Sequence, residues 1–220
     1  MAHCAKCYFP EKLCRNSTGK GLPDCPTENN RKEIDQSLEK YETDQYSDFS
    51  RAAAMQEGAG YSRDEDGDAY ASKTRLEETI EFCKRRGYKK LGLAFCIGLQ
   101  KEASVLNGLL EANGFEVVSV VCKVGRTDKE QFGIDKQFHI EPDTHEVICN
   151  PIAQSDICNA EKTDFNIVLG LCVGHDSMFL KNSNAFCTVF AVKDRVLAHN
   201  PLGAIYNLDS YYKRLKKIRD

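Results

Sequence analysis

The chain has 220 residues, of which 41% are hydrophobic, and carries a formal net charge of −3 at pH 7 with a pI near 6.0. This composition excludes a wholly disordered chain, and the charge provides no positive field to attract nucleic acid or an anionic membrane. No apolar run approaches the ~18 residues that cross a bilayer, and no basic segment precedes an apolar one at the start, so we expect a cytoplasmic protein with neither nucleic-acid nor membrane partners.

Cysteine is the most informative residue type, with eleven copies. In a reducing compartment thiols stay reduced, so abundant cysteine indicates metal binding or reactivity rather than a disulfide framework. The odd number of cysteines fits the same interpretation.

The first four cysteines fall within residues 1–26, a segment rich in Gly, Pro and Lys with almost no apolar periodicity. They are Cys4, Cys7, Cys14 and Cys25, and His3 is a nitrogen ligand that could replace one of the thiols. Two residues separate the first pair, which is the spacing at which one short turn presents two sulfurs to a single metal. Because such a segment cannot build a hydrophobic core, we predict that a metal orders it.

The rest of the chain divides into two regions. Residues 27–72 are polar and predict helices at 28–42 and 46–58 followed by an acidic turn, so we assign them to a helical linker region. From residue 73 to 220, helices alternate with strands. Predicted strands are 89–96, 115–122, 145–149, 165–172 and a hairpin within 187–201 that turns at Asp194; predicted helices are 72–87, 100–114, 151–161, one through 177–182 and one from near Leu208.

This alternation predicts an α/β domain with a mostly parallel sheet. Helices of this length between the strands would cover both faces of the sheet through right-handed crossovers. The expected architecture is therefore a three-layer α/β/α domain with the small N-terminal cysteine-rich metal-binding segment added to it.

Four further cysteines each end a predicted strand: Cys96, Cys122, Cys149 and Cys172. In an open parallel sheet, ligands bind outside the carboxyl ends of the strands, so these thiols are expected to converge. A single strand-end cysteine is more often a small buried hydrophobe, but four at equivalent positions favour a shared site. Sulfur ligands select zinc or an iron–sulfur cluster, and we predict that these four cysteines bind one of them.

The stretch "GLCVGHD" adds candidate catalytic residues next to this site. Cys172 is followed by the start of a predicted helix, whose amides would stabilise a thiolate. His175 and Asp176 could act as a base, a proton relay or direct ligands. The structural alternative for His175 is a hydrogen-bonded loop or capping residue.

Two polar residues are candidates for holding a cofactor at the same edge. Lys123 directly follows Cys122, and Asn150 directly follows Cys149, so both side chains are expected at the rim of the site.

With these residues in view, the chain resembles a family of uncharacterised cysteine-rich proteins described as metal-binding and catalogued as a domain of unknown function. The resemblance rests on the N-terminal cysteine segment and on "CIGLQKEA", "VVCKVG", "CNPIAQ", "GLCVGHD" and "VKDRVLAHNP", and it spans almost the whole chain. It implies a metal-binding protein and transfers no reaction. Members of that family occur mainly in anaerobes, which favours an iron–sulfur cluster.

Three functions remain open at this point. The first is a metalloprotein whose strand-end cysteines hold an iron–sulfur or other metal centre for electron transfer or redox chemistry, with a small-molecule substrate or a redox partner. The second is a zinc-binding carrier or adaptor without catalysis. The third is a thiol enzyme in which Cys172 is the nucleophile and His175 its base.

Overall fold

The computed structural model describes residues 1–142 and 144–217 and divides the chain into two compact units, Met1–Tyr70 and Ala71–Asp220. In the first unit, no residue of the segment 1–25 is buried, as expected for a segment that lacks a core. A 3-10 turn covers Cys4–Lys6. The elements that follow are the helices α1 (Pro26–Asn29), α2 (Arg31–Tyr41) and α3 (Ser47–Ala59) and two short strands, β1 (Tyr61–Arg63) and β2 (Ala69–Ala71). These two strands pair with each other.

The second unit alternates helices and strands. Its elements are α4 (Arg75–Arg85), β3 (Lys90–Phe95), α5 (Gln100–Ala112), β4 (Glu116–Val121), α6 (Pro151–Ala160), β5 (Phe165–Leu169), α7 (His175–Asn182), β6 (Cys187–Ala191) and α8 (Leu202–Tyr206). Strands β3 to β6 form one sheet in the order β4-β3-β5-β6, and every pairing is parallel. The predicted α/β class with a parallel sheet flanked by helices is therefore confirmed.

Alternating side chains on the strands explain why both faces of this sheet are covered. Ala94 and Val168 point to the face where α6 and α7 pack, in a buried cluster with Phe179. Phe165 points to the opposite face and packs against Phe82 of α4, with ring centroids 5.5 Å apart. Burial of both faces matches the near-continuous apolar sequence of the strands.

Helix boundaries follow the chemistry of their ends. Thr74 forms a capping box with Glu77 at the start of α4, since the Thr74 hydroxyl accepts from the Glu77 N–H and the Glu77 carboxylate accepts from the Thr74 N–H. Asn150 caps α6 by accepting from the N–H of Ala153 at 3.0 Å, and Pro151 fills the first helical position. Both caps satisfy backbone donors that lack partners within the helix.

The prediction of a strand at 145–149 is wrong. Residues 145–149 make a single antiparallel bridge, between Val147 and Asp128, and the segment that precedes them forms 3-10 turns at Lys129–Phe132 and Lys136–Phe138. "HEVIC" is apolar enough for a strand, but this stretch pairs with its own preceding loop and does not join the sheet.

Two predictions for the C-terminal part also need correction. The predicted hairpin has its first strand, β6, but the residues after Asp194 fold into a tight loop instead of a returning strand. The last α-helix is Leu202–Tyr206, ahead of the predicted start near Leu208, and a 3-10 turn at Lys213–Lys216 follows it. Residues 218–220 lie outside the described part of the chain.

Within the described residues, none of the helices combines the length and the apolar character that a membrane span requires.

Candidate thiolate site at the sheet edge

Two thiols lie side by side at the carboxyl end of the sheet because β3 and β4 end in register. Phe95 pairs with Val121, and the N–H of Cys122 donates to the carbonyl of Phe95 at 2.9 Å. Cys96 and Cys122 are the next residues on the two strands, and both are buried, with exposed fractions of 7% and 2%.

A third thiol reaches the same point from a loop. The N–H of Asn150 donates to the carbonyl of Cys122 at 2.7 Å and so holds the end of the loop against β4. The ammonium of Lys123 donates to the carbonyl of Val147 and fastens the loop a second time. As a result, the Sγ atoms of Cys149 and Cys122 lie 3.6 Å apart.

A buried amide fixes the strand ends beneath these thiols. The side-chain amide of Gln154, from α6, donates to the carbonyls of Phe95 and Val120 at 3.2 Å and 2.6 Å. These carbonyls belong to β3 and β4 just before the cysteines, and Gln154 is fully buried. The separation of Cys96 and Cys122 is therefore set by a rigid part of the fold.

The environment of the three thiols favours a shared proton. Hydrogen bonds to Cys149 and Cys96, together with burial, raise the pKa of Cys122. The hydrogen bond from Cys122 lowers the pKa of Cys96, and the Gly98 N–H and Lys193 lower it further. The pKa of Cys149 is lowered to about 6, first by the hydrogen bond to Cys122 and then by the charges of Lys123 and His175. The proton of Cys122 is therefore held more tightly than those of Cys96 and Cys149.

Cysteines elsewhere in the domain behave differently. Burial raises the pKa of Cys83 to about 12 and that of Cys158 to about 11, and it also raises the pKa of Cys187. These residues lie in α4, α6 and at the start of β6, as expected for cysteines that serve as small apolar side chains. Lowered pKa values are therefore a property of Cys96 and Cys149 rather than of buried cysteine in general.

A tight loop after β6 supplies two cations to the sheet edge. Lys193 interacts with Cys96, and the guanidinium of Arg195 donates to the Sγ of Cys172 at 3.1 Å. The carboxylate of Asp194 accepts from the N–H groups of Val196 and Leu197 and so closes the loop.

The same loop contains strained backbone. Ala198 and His199 have φ values of +48° and +65°, which side-chain-bearing residues rarely adopt. The His199 ring accepts from the Asp194 N–H at 3.1 Å, and the His199 N–H donates to the Asp194 carbonyl at 2.9 Å. These bonds hold the unusual conformation in place, and strain of this kind concentrates at functional sites.

The remaining sequence-predicted residues of this edge have the following placements. Cys172 is half-buried and contacts Arg195, whereas Cys96, Cys122 and Cys149 interact with one another. His175 begins α7, and its charge acts on Cys149. Asp176 accepts from the N–H of Ser177 in its own helix.

Asn150 and Lys123 contribute to the frame of the site through the contacts already described. The Asn150 side chain caps α6, and the Lys123 ammonium holds the Cys149 loop while its charge stabilises the thiolate. Lys193 and Arg195 were not singled out from the sequence. Both residues follow a strand of the parallel sheet, and this is the same sequence feature that identifies the four cysteines as candidates for the site.

The four N-terminal cysteines line one cavity of about 140 Å³ in the first unit, together with His3. The 3-10 turn at Cys4–Lys6 is closed by a bond from the Cys7 N–H to the Cys4 carbonyl, at 3.1 Å, and it places these two residues at the ends of one turn. Gly21 passes so close to Cys25 that a Cβ at position 21 would lie 2.9 Å from the Cys25 sulfur.

Neither set of thiols is already closed around an ion. In residues 1–142 and 144–217, no group of three or more His, Cys, Asp or Glu side chains has the arrangement of a metal site. Binding of a metal would therefore have to draw the ligands of either set together.

Comparisons with known proteins identify close relatives. A family model described as "Protein of unknown function (DUF1847)" matches residues 25–190, a range that includes all four sheet-edge cysteines. The uncharacterized protein MJ0455 of Methanocaldococcus jannaschii is 45% identical over 216 residues, which cover 98% of this chain and 97% of the relative.

Among solved structures, two crystal structures of Dph2 from Pyrococcus horikoshii, one of them with a 4Fe-4S cluster, match 67% of this chain at 17% identity and a TM-score of 0.36. This chain spans 34% of the Dph2 chain. At this TM-score the likeness carries no inference about the present protein.

Proposed function

Because the chain belongs to the family described as protein of unknown function (DUF1847), we propose its function from the site itself: the protein binds a sulfur-ligated metal centre at the sheet edge. Cys96, Cys122 and Cys149 would hold the metal. Three protein ligands leave one position open, which is the arrangement of catalytic rather than structural metal sites. The position of the thiols at the ligand-binding edge of a parallel sheet supports a role in chemistry on a small molecule.

The observation that carries this proposal is the convergence of three thiols, two of which, Cys96 and Cys149, have lowered pKa values. Metal ligation requires the thiolate, and the pKa values of Cys96 and Cys149 are lowered in a chain whose other buried cysteines have raised pKa values. An all-sulfur donor set excludes magnesium and calcium in favour of zinc or iron–sulfur.

An iron–sulfur cluster for redox chemistry or electron transfer is the first candidate. The Ile97 N–H donates to the Cys122 sulfur at 3.3 Å, and the Gly98 N–H bonds to Cys96. Hydrogen bonds to the sulfurs are one of the means by which a protein sets the potential of such a cluster. Lys123 and Lys193 add positive charge that would offset the negative charge of a thiolate-bound cluster.

Zinc is the second candidate, and one distance favours it. Two sulfurs bound to the same ion at ~2.3 Å with tetrahedral geometry lie about 3.8 Å apart. Cys122 and Cys149 are separated by 3.6 Å, close to that value. A zinc centre would support a carrier, an adaptor or metal-assisted hydrolysis in place of electron transfer.

The two candidates are separated by one experiment. The full-length Cys7→Ser variant, which is expected to lack the N-terminal metal, is purified and reconstituted without oxygen and analysed for iron, labile sulfide and zinc, and its visible absorption spectrum is recorded. Iron with matching sulfide and a broad visible absorption would support the cluster, and colourless protein with stoichiometric zinc would support the second candidate. Protein that holds neither at the sheet edge would overturn the proposal.

Cys172 is proposed as the reactive thiol beside the centre. Its sulfur accepts a hydrogen bond from the Arg195 guanidinium at 3.1 Å, and it is more exposed than Cys96 or Cys122. Replacement of Cys172 by Ser should then leave the bound metal in place and abolish rapid alkylation at that position. Loss of metal in this variant would instead make Cys172 a fourth ligand.

The N-terminal cysteines are proposed as a separate structural metal site. Cys4, Cys7, Cys14 and Cys25 line one cavity in a segment without buried residues, so the bonds to a metal would supply the energy that a core normally provides. The Cys7→Ser variant should lose this metal and retain the sheet-edge centre.

A further inference from the structure

The segment between β4 and α6 encloses a second cavity, of about 260 Å³, that contains no cysteine. It is lined mainly by charged and polar side chains, among them Asp128, Glu130, His139, His145 and Glu146. None of these residues takes part in the thiolate site.

Unsatisfied polar atoms are concentrated in this cavity. Over residues 1–142 and 144–217, four buried side-chain nitrogen or oxygen atoms have no hydrogen-bond partner, and three of them belong to residues that line it. They are both ring nitrogens of His139 and Oδ1 of Asp128, which lies 2.9 Å from His145 Nδ1 but without the geometry of a hydrogen bond. His139 has an exposed fraction of 8%. Because folded proteins satisfy nearly all buried polar groups, these atoms indicate a missing partner.

The charges of the cavity indicate that the partner is a cation. Lys129 lies 2.7 Å from Glu146, and Lys136 lies 3.6 Å from Glu130, so these charges are paired. The carboxylate of Asp128 remains, with histidine as its neighbour. With both histidines neutral, the cavity carries one uncompensated negative charge.

The distance between two of the donors suits ligation of one ion. His145 Nδ1 lies 2.9 Å from Asp128 Oδ1. A nitrogen and an oxygen bound to one metal at ~2.0–2.1 Å in adjacent positions at right angles lie about 2.9 Å apart. A simple ion pair would also have this separation, but it would leave both nitrogens of His139 without a partner.

We propose that this cavity binds a divalent transition-metal ion through His139, His145 and Asp128. Imidazole nitrogens with a carboxylate select zinc, iron or nickel over calcium and magnesium. The cavity is larger than the ion alone, since a water molecule occupies about 30 Å³, so water would complete the coordination. Binding would require the donors to move toward one another, because the three do not surround a common point.

A metal bound in this cavity would also affect Cys149, because backbone bonds join Asp128 to the segment that precedes this cysteine. Asp128 bridges to Val147, and the Ile148 N–H donates to the Thr127 carbonyl at 2.8 Å. The metal would therefore stiffen the segment that carries Cys149.

The test is a titration of the full-length protein with Co²⁺ in the absence of oxygen. Cobalt bound to the cysteines gives thiolate charge-transfer bands, whereas cobalt in this cavity has only nitrogen and oxygen ligands. We expect His139→Gln to bind one Co²⁺ fewer than the unmodified chain, with the thiolate bands unchanged. The control Lys101→Gln, at an exposed position of α5, should bind the full number.

Equal Co²⁺ binding by His139→Gln and the unmodified chain would overturn the proposal. Because a buried histidine variant could fail to fold, the unmodified chain is also loaded with Cu²⁺ and examined by pulsed electron paramagnetic resonance. Nitrogen couplings from two imidazoles that disappear in Asp128→Asn would support the site, and a spectrum without imidazole nitrogen would overturn it. Failure of the sheet-edge proposal would appear separately, as absence of the thiolate bands in the Cys7→Ser variant, which is expected to lack the N-terminal metal.

Discussion

The backbone N–H of Asn150 donates to the carbonyl of Cys122 at 2.7 Å, and this bond places Cys149 beside a strand to which it does not belong. It extends the hydrogen bonding of β4 by one step into a loop. The same residue then begins α6 through its side-chain cap. One asparagine thus fixes both the third thiol and the helix whose Gln154 bridges the strand ends.

Cys122 is expected to be the thiol on which metal binding depends most. It is the one that hydrogen-bonds to both other cysteines, so Cys122→Ser should weaken binding at the sheet edge by tenfold or more. The measurement is metal content after competition with a chelator. Cys158→Ala is the matched control, because Cys158 is equally buried and its raised pKa keeps it a thiol.

Equal loss of metal in both variants would indicate a general effect of destabilisation. Retention of metal in Cys122→Ser, in a variant with a normal circular dichroism spectrum, would exclude Cys122 as a ligand.

The reactivity of Cys149 in metal-free protein should reach its maximum near neutral pH. Its pKa is lowered to about 6 by the hydrogen bond to Cys122 and by the charge of Lys123. The alkylation rate follows the thiolate fraction, so it should rise through about pH 6 and level off near pH 7. Mass spectrometry after timed iodoacetamide labelling measures it at each position.

Removal of one charge tests the cause of this shift. Lys123→Gln should move the midpoint of Cys149 labelling to higher pH, since the cation favours the thiolate. Lys101→Gln, at an exposed position of α5, should not move it. A labelling rate that climbs through pH 8 and 9 in the unmodified chain would contradict the assignment.

How much of this site the sequence predicts depends on the range of the interactions involved. Cys96 and Cys122 could be placed together because near-continuous apolar runs define their strands and parallel strands end at one edge. The position of Cys149 depends on a loop bond to a distant carbonyl, which leaves no periodic signal. The strand predicted at 145–149 does not form, yet the sulfur of Cys149 lies 3.6 Å from that of Cys122.

The cationic loop shows a second limit. Lys193 and Arg195 face the thiols because Asp194 and His199 close a strained turn through side-chain bonds to the backbone. The apolar run that ends before Lys193 and the apolar residues that follow Arg195 predict a hairpin equally well. The left-handed conformations of Ala198 and His199, which decide between the two, are not encoded in any local propensity.

Stability should fall with rising pH above about pH 9 because of a thiol far from the site. Burial raises the pKa of Cys83 from 9.0 to about 12, so the folded chain keeps this proton while the unfolded chain releases it. The stabilisation is fully present below the unfolded pKa and is lost as pH rises from that value toward the folded one. Each such thiol contributes a fall of about 1.4 kcal/mol per pH unit in this window.

Urea unfolding at several pH values compares the unmodified chain with Cys83→Ala. The variant is expected to be less stable at every pH, since it leaves a cavity, but its loss of stability per pH unit should be smaller by the stated amount. Identical pH slopes for the two chains would show that Cys83 releases its proton in the folded state.

The N-terminal site offers a test at a residue that is not a ligand. A Cβ at position 21 would lie 2.8 Å from the Cβ and 2.9 Å from the Sγ of Cys25, distances that require one of the two to move. Gly21→Ala should therefore displace this sulfur and weaken metal binding in the first unit, measured by zinc release to a chelator, while the sheet-edge centre is unaffected. Gly58→Ala is the control, because a Cβ there meets nothing within 4 Å and alanine favours its helix. Faster zinc release from Gly21→Ala alone would establish that the metal depends on the position of Cys25, whereas equal rates in the two variants would remove Cys25 from the ligand set.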